Sequence, residues 1–108
     1  MNWTIDCYHA AVEKLILNLP EGLLSRYVHL TKAMLQFGPN LGMPHTHAMG
    51  GGLFELRLTG KEGITRVFWC RTVGQRIVIL HRFIKKSEQT PLQRLRVARS
   101  RLLKVKGS

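Results

Sequence analysis

Ile77, Val78, Ile79 and Leu80 are four consecutive apolar residues. A strand with one wet face alternates apolar and polar residues. A run that is apolar on both faces reads as a strand buried in the middle of a sheet. It continues through His81-Arg82-Phe83. Two neighbouring strands are predicted just upstream. In Leu53 to Leu58, Phe54, Leu56 and Leu58 share one face, and Glu55 and Arg57 share the other. Thr59 to Gly63 reads as a hairpin connection. In Ile64 to Arg71, rich in aromatic and β-branched residues, Arg66, Phe68 and Cys70 point one way and Thr65, Val67 and Trp69 the other.

The remaining segments read as a short first strand and three helices. Trp3, Ile5 and Cys7 alternate with Thr4 and Asp6, as in a strand. Val12, Leu15, Ile16 and Leu19 fall on one helical face, and Pro20 ends that helix. A second helix is predicted from about Leu23 to Phe37, with Leu24, Tyr27, Val28 and Leu35 on one side. The short link at Pro20-Glu21-Gly22 suggests an antiparallel helical hairpin. Residues 38–52 have no period and five Gly and two Pro, which reads as a loop. Pro91 opens the last helix, with Thr90 as its N-cap. Leu92, Leu95, Ala98, Leu102 and Val105 form its inner stripe, and Arg94, Arg101 and Lys104 an exposed basic face. With 108 residues and no repeat, the chain is read as one domain spanning 1–108.

Charge narrows the function. The chain has 17 Lys+Arg against 6 Asp+Glu, a formal net charge of +11. Residues 1–60 are formally neutral, so the entire excess lies in residues 61–108. Such asymmetry points to a polyanion, RNA or DNA, or to an acidic protein partner. No apolar run approaches a membrane span, and Met1 to Asp6 lacks a secretory pattern. A cytoplasmic protein without membrane contact is expected. Cys7 and Cys70 form no metal spacing and read as buried free thiols. His45 and His47 form an HxH pair, but no carboxylate or thiolate lies at ligand spacing. No metal and no cofactor is expected.

Phosphate-binding loops, nucleophile elbows and paired carboxylates are lacking. Cations on strands are the stronger signal. Arg57 and Arg66 lie on adjoining strands of one hairpin, and Lys85 and Lys86 follow the central strand. Four such cations on one sheet edge suit a phosphodiester, whose transition state needs fixed positive charge. An RNA substrate brings its own 2′-OH as nucleophile. A lysine or His81 then serves as proton donor or acceptor.

The order Gly52-Leu53-Phe54-Glu55-Leu56-Arg57, Thr65-Arg66-Val67-Phe68, Ile79 to Lys86 and Thr90-Pro91 resembles the phage-derived Gp49-like proteins of the RelE/HigB branch of type II toxins. Val12-Glu13-Lys14, Leu19-Pro20 and Ala98 fit the same pattern. The resemblance implies an α+β fold: two N-terminal helices packed on a small twisted antiparallel sheet, with a C-terminal helix. The implied activity is a metal-independent, ribosome-dependent mRNA endoribonuclease. The implied partners are the 70S ribosome with mRNA, and a cognate antitoxin of helix-turn-helix type through which operator DNA is bound. Carried over by position, Arg57 and Arg66 hold the scissile phosphate. Lys85 and Lys86 contact phosphate or leaving group, His81 transfers a proton, and Arg71, Arg82, Arg94 and Arg101 bind RNA. Three departures stand out. Glu55 occupies a position where some relatives carry a lysine base, Arg82 replaces a glycine, and the HigB-like C-terminal histidine and tyrosine are missing. The superfamily also includes ParE-like gyrase inhibitors. A plain nucleic-acid-binding module is the third reading, and it requires aromatics among the exposed cations, for which Phe68 and Phe83 are the candidates.

Overall fold

The computed structural model describes residues 2–85 and 91–107, residue 85 by its backbone alone. Its elements run β1 (Thr4–Cys7), α1 (Ala10–Leu17), α2 (Glu21–Phe37), β2 (Thr46–Gly50), β3 (Leu53–Gly60), β4 (Gly63–Thr72), β5 (Arg76–Lys85) and α3 (Leu92–Gly107). The strands form one sheet in the order β1-β5-β4-β3-β2. The apolar run 77–80 thus lies inside the sheet, and each of its four side chains is at most 1% exposed. Burying an aliphatic side chain of this size contributes roughly 1.5–3 kcal/mol. The sheet is mixed, because β1 pairs with β5 in parallel while all other pairs are antiparallel.

Helices cover both faces. Val12 and Ile16 of α1 and Leu23, Leu30 and Met34 of α2 pack on Leu56, Leu58, Val67, Trp69, Ile77 and Ile79. Ala98 and Leu102 of α3 pack on Leu53, Phe68, Cys70, Val78, Leu80 and Phe83. Strand alternation therefore sorts successive residues of β3, β4 and β5 into two separate cores.

Four expectations change. Residues 46–50, read as loop, form β2; apart from Met49 its residues are small or polar, and a bulge after Ala48 interrupts the register. No hydrophobic alternation announces such a strand. Its far end is pinned by Arg99, which donates to the carbonyls of Met49 and Gly50 at 3.0 and 3.1 Å. The buried residues of α2 are Leu23, Leu30, Thr31 and Met34; of the four expected, Leu24 and Tyr27 pack partly buried on the same core, while Val28 and Leu35 are exposed. That helix is apolar over a wide arc, so spacing alone does not choose its inner side; packing on β3 does. Leu92, expected in the stripe of α3, is exposed at the helix start. Arg101, expected on the exposed face of α3, donates instead to the Leu80 carbonyl at 2.6 Å. Thr90 lies outside the described residues.

Glu62, at the β3–β4 turn, closes a gap left by Pro20. Pro20 is the N-cap residue of α2 and makes no side-chain cap. The Glu62 carboxylate accepts from the Gly22 N–H at 3.0 Å, which caps the helix from 40 residues away and places a negative charge at its positive end.

Candidate active site

Strand register brings the predicted arginines together. Arg57 on β3 lies directly opposite Arg66 on β4. In the adjoining row, His47, Glu55, Phe68 and His81 lie side by side on β2, β3, β4 and β5. Both rows face the α3 side of the sheet, because Phe68 and Phe83 belong to the core beneath that helix.

Two like charges opposite each other on a sheet repel and need a counter-charge. Glu55 supplies it from the diagonal position. Arg66 Nη1 donates to both carboxylate oxygens at 2.7 Å. Arg57 Nη2 lies 4.0 Å from Oε1 of the same group. The Glu55 side chain is fully buried and that of Arg66 is 9% exposed, whereas that of Arg57 is 35% exposed. Arg66 Nε is also buried, with no hydrogen-bond partner among the described residues. The three groups carry a net charge of +1, and the guanidinium of Arg57 is the one open to a ligand. The sequence places Glu55 on the face of Arg57 and marks it as a departure from a lysine, but does not pair it with Arg66. The available signal was an acid two residues from Arg57 on the same strand face.

A bulge in β5 sets the position of His81. Phe68 pairs with His81 and Trp69 with Ile79, leaving Leu80 as the extra residue. Leu80 and His81 therefore both turn toward α3. His81 is 5% exposed. Arg94 Nη1 lies 3.3 Å from Nε2 and Arg101 Nη1 3.5 Å from Nδ1. Burial, and then the charges of Arg101, Arg94 and Arg82, push the imidazole pKa down to about 4. The ring is neutral at pH 7, and it fastens α3 to the sheet.

This depressed pKa has a consequence for stability. The unfolded chain takes up a proton on His81 near pH 6.5, whereas the folded chain does so only near pH 4. Stability is lost as pH falls between those values, at no more than ~1.4 kcal/mol per pH unit from this group. Urea midpoints measured at pH 7.5, 5.5 and 4.5 are expected to fall less steeply in His81→Gln than in the parent. Parallel slopes in the two proteins contradict the assignment.

The remaining predicted site residues scatter. Arg71 lies on the opposite face of the sheet, 5.7 Å over the Phe54 ring, which stacks on Trp69. Arg82 also points to that face, where its Nε donates at 2.8 Å to the Leu15 carbonyl in the last turn of α1. Arg94 and Arg101 are engaged with His81 and Leu80. Lys85 is the last residue of β5, opposite Ile64. Lys86 lies outside the described residues. Phe68 and Phe83, the candidates for base stacking, are buried against each other at 5.6 Å. Cys70 is buried and Cys7 half-buried, and burial raises both thiol pKa values, so neither is primed as a nucleophile. Among the described residues no three His, Cys, Asp or Glu side chains gather to hold a metal ion. No helix among them is long and apolar enough to cross a membrane.

Comparison with known proteins bears on the family and the fold. Residues 14–103 match the model of the family described as phage derived protein Gp49-like. The fold is similar to a chain of the archaeal RelE-RelB complex from Pyrococcus horikoshii OT3. The TM-score is 0.58 at 19% identity, over 80% of this chain and 98% of that one. No curated protein matches the sequence.

Proposed function

Since the chain belongs to the phage-derived Gp49-like family, a family of RelE-like toxins, we propose that it is the toxin of a type II toxin–antitoxin pair and cleaves mRNA on the ribosome. The observation that carries this reading is the Arg57–Glu55–Arg66 cluster with His47 beside it. Arg57 offers an accessible cation to the scissile phosphate. Arg66 orients the carboxylate and adds charge behind it. The 2′-OH attacks the adjacent phosphorus, and its proton passes to solvent water. The 5′-oxygen of the next nucleotide leaves and is protonated, leaving a 2′,3′-cyclic phosphate. Exposed His47, in register with Glu55, is the proton donor in this scheme. His81, neutral and enclosed, acts as a positioning residue. Lys85 and Lys86, following in sequence, are assigned to the flanking phosphates.

The similar archaeal chain comes from a complex with RelB. By the same reading, this protein pairs with a cognate antitoxin of helix-turn-helix type that neutralises the +11 chain in the cytoplasm and binds operator DNA. The test is induction in a bacterial cell with primer-extension mapping of mRNA 5′ ends. New ends inside translated codons, lost when initiation is blocked, are expected. Growth arrest with intact mRNA overturns the nuclease and favours gyrase inhibition.

A further inference from the structure

α3 carries six cations and no acid over its 16 residues. Three of those cations are used inward, on His81, on Met49 and Gly50, and on Leu80. The helix also borders an open groove of about 460 Å³. Arg96, Ser100, Arg101 and Lys104 line it from α3, and Tyr8 and His9 from the β1–α1 junction. No acid lines it. Arg96, Ser100 and Lys104 are spaced four residues apart, so they form one stripe with about 6 Å between successive members. Tyr8 is fixed by its backbone N–H on the Ile79 carbonyl at 2.8 Å. His9 is fixed as the N-cap of α1, its Nδ1 accepting from the Val12 N–H at 3.3 Å. In the neutral ring the other nitrogen, Nε2, then carries the proton and is a donor. The two rings lie 4.9 Å apart, and Arg101 sits 5.4 Å over Tyr8.

We infer that this groove is a second RNA-binding site, which tracks the phosphates of a single strand along Arg96, Ser100 and Lys104. The chemistry selects the ligand. Cations and hydroxyl or imidazole donors without a carboxylate select an anion of several charges. The exposed His9 ring gives a base a surface to stack on, which an acidic peptide does not use. The site is separate from the Arg57–Arg66 cluster and involves none of its residues. Choosing RNA over other polyanions rests on the nuclease reading.

The test uses the full chain and a fluorescein-labelled 12-nucleotide single-stranded RNA, followed by anisotropy at several salt concentrations without ribosomes. Each phosphate contact contributes about 0.7 to the slope of log affinity against log salt. The Arg96→Gln/Lys104→Gln variant is expected to lose about 1.4 of that slope and to bind about tenfold more weakly. A charge-matched control, Lys14→Gln/Lys32→Gln, removes exposed cations elsewhere and keeps the parent slope. Equal slopes for the two variants overturn the proposal, because binding is then diffuse charge. Lost affinity for poly-glutamate with an unchanged RNA slope also overturns it and assigns the groove to an acidic protein. Failure of the nuclease reading looks different: mRNA stays intact in cells while the groove variant still loses its slope.

Discussion

Replacing Glu55 with alanine is expected to remove about 3–5 kcal/mol of folding stability, the cost of stranding one member of a buried ion pair. Arg66 is 8% exposed, and its Nη1 has both Glu55 oxygens at 2.7 Å. Its Nε already lacks a partner among the described residues. Without the carboxylate, a full positive charge remains buried opposite Arg57. Arg66→Ala is expected to cost less, because Arg57 at 4.0 Å partly compensates the remaining carboxylate. The double change Glu55→Leu/Arg66→Met restores most of the loss, since apolar side chains of similar volume replace a buried pair at little cost. Urea unfolding followed by tryptophan fluorescence measures all four proteins. A Glu55→Ala protein within 1 kcal/mol of the parent contradicts the description of this cluster.

Arg57→Ala is expected to act on function rather than on folding. Its side chain is 35% exposed and, among the described residues, makes only the 4.0 Å approach to Glu55. Loss of so exposed a contact changes stability little. Loss of a preorganised cation at the scissile phosphate lowers the rate by roughly 10²–10³, by analogy with removal of one oxyanion donor. Cells inducing this variant are expected to keep growing, with mRNA ends like those of uninduced cells. Arrest and cleavage at parent levels remove Arg57 from the site.

The sequence carried the sheet clearly, because its information is local. Alternation in 53–58 and 64–71 and the double-faced run 77–80 fix which residues share a face, and Arg57 and Arg66 came together as expected. β2 was hidden because Thr46, His47 and Ala48 bring no hydrophobic alternation, and its pairing partner is what makes it a strand. The sides of Arg71 and Arg82 were hidden for another reason. A basic residue near a basic cluster in sequence faces the other side of a strand after one step, or after a bulge like that at Leu80. Glu55 was readable as a neighbour of Arg57 and not as the partner of Arg66, since a diagonal contact exists only once two strands are in register. The inward use of Arg94, Arg99 and Arg101 depends on where α3 docks, and composition does not encode that.

The central claim is RNA cleavage through the 2′-OH at the Arg57–Glu55–Arg66 cluster. Its most direct test is purified ribosomes programmed with a defined mRNA, given the purified protein, with the cut nucleotide either unmodified or 2′-O-methylated. Cleavage of the unmodified message to a 2′,3′-cyclic phosphate, with the methylated message left intact, is the predicted result. Cleavage of both messages, or of neither, contradicts it.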